Sequence, residues 1–144
     1  MTSDHRNHSG TPLPKKLGIR DGSRVLIVDA PDGFDGLLVP LPTGVRIARR
    51  AAGKGLDVIV VFATRRAVLE RRFAALVASL AADGRLWVAW PKKASRVATD
   101  IAFDTVQALG LAAGLVDNKS ASITDVFQGV QFVYRVKDRL AVRG

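Results

Sequence analysis

The chain has 144 residues, enough for one ordinary domain, and its 48% hydrophobic and 24% charged residues are a globular balance rather than a disordered one. It holds no cysteine, which excludes disulfides, thiolate catalysis and cysteine-based metal sites and suits a reducing cytoplasm. Its 22 Lys and Arg against 13 Asp and Glu give a net charge of +9, an excess that favours anionic partners: nucleic acid, an acidic protein or a phosphorylated ligand.

Residues 1–12 are polar and aperiodic and read as a flexible tail. The opening MTSDHRNHSG lacks the apolar core of a signal peptide, and no apolar run approaches the roughly 20 residues of a membrane span. A soluble, cytoplasmic chain is therefore expected, with a single domain over 13–140 and a short tail over 141–144. Pro12 and Pro14 precede KKLGIRDG, in which Asp21-Gly22 signals a turn. Arg24 to Ala30 (RVLIVDA) is a continuous apolar run, the mark of a parallel strand covered on both faces. PDGFDGLLVPLPTG follows, rich in Gly and Pro, with room for a short helix at most. Val45 to Ala48 reads as a short edge strand, and Asp57 to Phe62 (DVIVVF) as a second buried strand.

The clearest helix comes next, with Leu69, Phe73, Leu76, Val77 and Leu80 on one stripe. Thr64 is placed to cap it and Asp83-Gly84 to end it. Arg85 to Trp90 is another strand. Trp87 and Trp90 are three apart, so they point to opposite faces and fill core on both. Thr99 is placed to cap a second helix whose Ala102, Val106, Leu109 and Ala113 share a face. Leu115 to Ile123 and Val130 to Val136 read as an antiparallel pair. Alternating strands and helices define an α/β sheet with helices on both faces, and right-handed crossovers favour the strand order 2-1-3-4-6-5 with only the last strand antiparallel.

This layout resembles the methyltransferase-like variant of the Rossmann fold, carried by the helix, glycine turn and strand of LAADGRLWVAW and by the closing hairpin. The expected architecture is thus a single-domain three-layer α/β sandwich. The chain also resembles a family of small bacterial proteins of unknown function, abundant in actinobacteria. That resemblance rests on KKLGI (Lys15 to Ile19), LWVAWPKKAS, GLVDNKS (Gly114 to Ser120) and FVYRVKDR (Phe132 to Arg139), and spans roughly residues 12–139. It implies a fold and no activity.

Open α/β sheets bind ligands beyond the carboxyl ends of their strands, where the strand order reverses. The loop there, A-P-D-G-F-D-G, brings Asp29, Gly33, Phe34 and Gly36 as a candidate cofactor loop. It lacks the G-x-G-x-x-G spacing, Asp32 and Asp35 would repel a phosphate, and Arg49 and Arg50 stand where an acid would hold ribose hydroxyls. Asn118-Lys119-Ser120 continues with Ala121 and no phosphate loop accompanies it, so a guanine-nucleotide site is excluded. Both histidines, His5 and His8, lie in the tail, which leaves the folded domain without the common nucleophile–base pairs and without a metal set. Asp29 and Asp117 are the carboxylates placed for general-base work, or for capping and ion pairing.

Pro91 ends the tryptophan strand, and Lys92 and Lys93 fall just beyond it, on the rim where ligands sit. Arg96 and Lys119 are placed to join them, with Asp117 and Asn118 orienting Lys119, as an anion-binding cluster. A second basic feature is the helix face bearing Arg65, Arg66, Arg71 and Arg72, with Glu70 paired to Arg66. The sequence therefore favours a non-catalytic binding or regulatory module that recognises an anionic ligand or acidic partner and needs no cofactor. Its rival is a divergent S-adenosylmethionine-dependent methyltransferase using the loop Ala30 to Gly36, which an open apolar pocket beside Gly33 would favour. Nonspecific nucleic-acid binding through the arginine face is a third reading, with no sequence-reading motif behind it.

Overall fold

In the computed structural model, residues 10–50 and 53–143 are described. Residues 1–9 of the tail expected over 1–12 therefore lie outside the described residues. Six strands form one sheet: β1 (Arg24–Val28), β2 (Arg46–Ala48), β3 (Leu56–Phe62), β4 (Leu80–Pro91), β5 (Leu115–Ser122) and β6 (Phe127–Tyr134). Their order is β2-β1-β3-β4-β6-β5. The pairs β1–β2, β1–β3 and β3–β4 are parallel, while β6 runs antiparallel to both β4 and β5. This is the mostly parallel α/β sheet with an antiparallel end that the apolar runs and crossovers predict.

Alternation along the central strands sends side chains to two separate cores. Leu26, Ile59, Val61, Leu86, Val88 and Trp90 pack under α3 (Arg66–Ser79) and α4 (Phe103–Ala112), while Val25, Ile27, Val60, Phe62, Trp87 and Ala89 face α1 (Leu13–Leu17) and α2 (Phe34–Leu37). The two tryptophans divide between these cores as their spacing requires, at 0% and 4% exposure. At about 1.5 Å of rise per residue, the 14 residues of α3 span roughly 21 Å, whereas the five of α1 and four of α2 span only about 8 and 6 Å. One face of the sheet is thus fully roofed and the other only partly. Among the described residues, no helix is long and apolar enough to cross a membrane.

Several local expectations are corrected. The start of α3 is capped by Asp100, whose Oδ1 accepts the Arg66 N–H at 2.7 Å; Thr64 contributes no side-chain cap. Thr99 donates to the Thr64 carbonyl at 2.7 Å and accepts the Ile101 N–H, and α4 begins after Ala102 without a side-chain cap. Asp83-Gly84 does not end α3. The helix gives way directly to β4, and the dipeptide sits where the β3–β4 register shifts, with the Gly84 Cα so close to the Leu56 carbonyl that a Cβ would lie 2.7 Å from its oxygen. Strand β6 starts at Phe127 rather than Val130, because Thr124 Oγ1 accepts both the Val126 and Phe127 N–H groups and closes the hairpin early. Pro91 still pairs with Phe127, and Lys92 N–H donates to the Val126 carbonyl at 2.7 Å, so the strand stays tied to the hairpin one residue beyond the proline. Helix α5 (Arg139–Arg143) spans the border between the expected domain and the expected C-terminal tail.

Candidate functional site

The parallel strands β1, β3 and β4 point their carboxyl ends at one rim. There β1 runs into Asp29, which adopts φ 57°, and then into the Pro31–Gly33 turn that leads into α2. Gly33 has φ 83°, a left-handed conformation that suits glycine and starts the short helix. Phe34 drives its ring edge-on against Phe62, centroids 4.9 Å apart, and Phe62 meets Phe127 of the hairpin at 5.1 Å. Phe34 and Phe127, the two ends of this row, line a cavity of about 950 Å3. Its walls are the 31–39 segment, the 122–127 hairpin and the 10–16 segment, including Lys16. Leu37 and Val39, 46% and 66% exposed, line it as unburied apolar side chains. The cavity exists because α1 and α2 are too short to close the sheet face between them.

The polar groups around it are few. Lys16 Nζ donates to the Ser122 carbonyl at 3.3 Å, and Lys92 Nζ donates to Ser122 Oγ at 2.7 Å. Asp32 and Asp125 line the same space. Of the candidate cofactor loop, Gly33, Phe34 and Gly36 therefore line the cavity, while Asp29 is turned away into an ion pair with Arg72 of α3. A Cβ at Gly33 or Gly36 would meet nothing within 4 Å, so the loop is open rather than a tight phosphate cradle. At the end of β2, Arg49 binds Asp35 at 2.7 Å, so Asp35 is neutralised in place.

The predicted cationic cluster does not assemble. Lys92 turns to the hairpin; Lys93 is exposed on a 3-10 turn (Lys93–Ser95), and Arg96 follows it, exposed, at φ 63°. Lys119 is level with Gln131, which pairs with Trp87, four residues and about 13 Å before the end of β4. Its Nζ donates to the Lys16 carbonyl at 3.3 Å and lies 6.0 Å from the Trp87 ring centroid, so it closes the end of α1 instead of joining the rim. Asp117 and Asn118 do not orient it. Asp117 accepts from Gln107 of α4, and Asn118 accepts from Gln131. The register shift between Asp117 and Lys119 sends these neighbours in different directions. On α3, Arg66 pairs with Glu70 at 3.2 Å and Arg72 with Asp29, which leaves Arg65 and Arg71 as the solvated part of the arginine face. Among the described residues there is no group of His, Asp or Glu arranged to hold a metal.

The part of this site that sequence reasoning missed is the far wall. Lys16 and the 122–127 hairpin are more than 100 residues apart yet meet through Ser122, and no local pattern signals that contact.

Comparison with known proteins bears on the fold that carries this cavity. The chain is similar in structure to a TehB-like S-adenosylmethionine-dependent methyltransferase from Corynebacterium glutamicum, with 13% identity, TM-score 0.51, and 85% of each chain covered. It is similar to a magnesium protoporphyrin IX methyltransferase from Synechocystis with bound S-adenosylhomocysteine, with 11% identity, TM-score 0.56, and 80% and 75% covered. It is also similar to a possible exported protein from Bordetella parapertussis, with 13% identity, TM-score 0.60, and 94% and 68% covered. At such identities the likeness is one of fold: a single-domain, methyltransferase-like Rossmann layout. No family model matches the chain, and no curated protein does.

Proposed function

We propose that the chain binds S-adenosylmethionine in the cavity beside Gly33 and acts as a divergent methyltransferase, in preference to a non-catalytic anion-binding module. The observation that carries this reading is the cavity itself. It is large, walled mainly by apolar groups, formed by the loop after β1, and set at the carboxyl-end rim where such sheets take ligands. The methyltransferase neighbours with the same fold support it further.

The residues present fit the molecule. Leu13, Leu37 and Val39 offer an apolar slot for a purine, Asp32 a carboxylate for vicinal hydroxyls, and Lys16 a cation for a carboxylate. Asp32 would thus take the role that Arg49 and Arg50 leave vacant at the end of β2. Bound there, S-adenosylmethionine supplies an electrophilic methyl group. The chain's own contribution is to orient the two reactants and exclude water, which favours a displacement by proximity. Among its described residues the cavity carries no histidine, and an acceptor whose nucleophile is already deprotonated or intrinsically strong suits these walls best.

Thermal unfolding with S-adenosylmethionine and S-adenosylhomocysteine tests the reading. Saturation near a hundred times Kd adds about 2.7 kcal/mol, a rise of roughly 5–11 °C in a domain of this size. Leu37→Asp, an exposed substitution on the cavity wall, should abolish that rise without lowering the unliganded Tm by more than about 2 °C. A flat response of the unsubstituted protein to both compounds refutes the proposal.

A further inference from the structure

At the opposite edge of the sheet, below the amino-terminal ends of β1 and β3, lies a second cavity of about 440 Å3 with polar walls. Three arginines from distant segments line it: Arg20 after α1, Arg85 of β4 and Arg139 at the start of α5. Among the described residues none of the three forms an ion pair. The carboxylates that share the lining are engaged elsewhere. Asp21 Oδ1 accepts the Thr43 N–H at 3.1 Å, Asp57 Oδ2 accepts the Arg24 N–H at 2.8 Å, and Asp83 faces Arg143 at 3.7 Å. Burial, and then repulsion from Arg20 and Arg139, pulls the Arg85 guanidinium below its ordinary value.

A second observation is independent of charge. Gln131 is 2% exposed and lines this cavity, and its Oε1 has no hydrogen-bond partner. Its Nε2 donates to Asn118 Oδ1 at 2.9 Å. That unpartnered atom is itself closed to solvent, so the amide is a polar part of the cavity wall rather than an open contact for a ligand. The chain leaves room for one of these arginines at a glycine. The Arg85 side chain lies directly over Gly18, where a Cβ would fall 2.5 Å from Cδ and 2.7 Å from Nε, and Gly18 holds φ +87°. Arg139 is oriented by donation from Nε to the Tyr134 carbonyl at 3.3 Å, and the backbone of Arg20 by donation to Ser23 Oγ at 2.9 Å.

We propose that this cavity binds a phosphate group, gripped by Arg20, Arg85 and Arg139. Planar guanidinium forks suit tetrahedral oxyanions, and a bound dianion relieves the mutual repulsion of three unpaired cations. The site is separate from the cavity beside Gly33 and does not depend on what that cavity holds. The shared chemistry is the phosphate itself, free or as a monoester.

The test is isothermal titration of the full chain with inorganic phosphate and, separately, glycerol phosphate at constant ionic strength. Saturable binding is expected, weakened at least about tenfold in Arg85→Gln and in Arg20→Gln, each of which removes a charge-assisted bond. Arg20 is exposed, so its variant keeps the test sound should Arg85→Gln fold poorly. Arg71→Gln, on the other face of the sheet, should bind as the unsubstituted protein does. Tighter binding of inorganic phosphate identifies the free ion as ligand, and tighter binding of the ester identifies a phosphomonoester. Absence of saturable binding of both, or equal weakening in Arg71→Gln and Arg20→Gln, overturns the proposal, the latter by reducing it to diffuse charge.

Discussion

Trp87 is the hinge between the sheet and the thinly roofed face, and replacing it with phenylalanine separates two contributions. The side chain is fully buried, and its Nε1–H donates to the Leu17 carbonyl at 3.1 Å, fastening α1 to β4. Phenylalanine removes the donor and leaves a buried acceptor unmet, which costs about 1–3 kcal/mol. The vacated pyrrole volume adds about 1–2 kcal/mol by the measured scale of large-to-small core changes. The expected loss is near 3 kcal/mol, or roughly 6–12 °C in Tm for a chain of this length. Urea unfolding followed by far-UV circular dichroism measures it, with an unchanged m-value as the condition for reading the shift as stability. Trp90→Phe is the control. Trp90 is 4% exposed and makes no comparable side-chain bond among the described residues, so its loss should be confined to the packing contribution of about 1–2 kcal/mol. Because α1 carries Lys16, Trp87→Phe should also reduce the stabilisation by S-adenosylmethionine. If Trp87→Phe costs less than about 1 kcal/mol, or no more than Trp90→Phe, then the Leu17 bond does not anchor α1 and the reasoning fails.

Gly110→Ala in α4 should destabilise by about 1–3 kcal/mol despite the better helix propensity of alanine, since its Cβ would lie 2.1 Å from the Phe132 ring; Phe132→Leu in the same chain should restore part of the loss in a double-mutant cycle. Tyr134 is the chain's one tyrosine, so absorbance at 295 nm follows it alone, and burial raises its phenol above the ordinary 10.0. Its neutral form is the one the fold favours: the associated stability is fully present below pH 10.0 and is lost as pH rises through the folded value. A midpoint at or below 10.0 in the folded protein would contradict this, and Tyr134→Phe should flatten the alkaline decline.

What could be read from the chain and what could not divide along a physical line. RVLIV and DVIVVF announced buried parallel strands because both of their faces had to be apolar, and the spacing of Trp87 and Trp90 assigned them to opposite cores. The sheet order followed from those runs and the handedness of crossovers. The helix caps did not follow, because the group that caps α3 is Asp100, 34 residues onward, brought there by the connection after β4. The cavity was half legible. The loop bearing Gly33 marked one wall, but the opposite wall depends on a hairpin and an amino-terminal segment whose meeting is purely tertiary. The lysine rim failed for a related reason. PKK names the end of a strand, yet which way each cation turns is decided by acceptors elsewhere: Ser122 for Lys92 and the end of α1 for Lys119. The three arginines of the lower cavity are 65 and 54 positions apart, a spacing that carries no local signal.

The two outer strands of the sheet bear on how the chain behaves in company. Strand β2 is only three residues long, begins with Arg46 and is followed by Arg49, and β5 presents Asn118, Lys119 and Ser120 to solvent across a break in register. Neither border offers a long, flat, uncharged row of backbone groups on which another molecule's strand could template. Growth by edge-to-edge stacking is thereby frustrated at both ends, so concentrated solutions should scatter light as dispersed particles and stay free of fibrils even while the apolar cavity stands open.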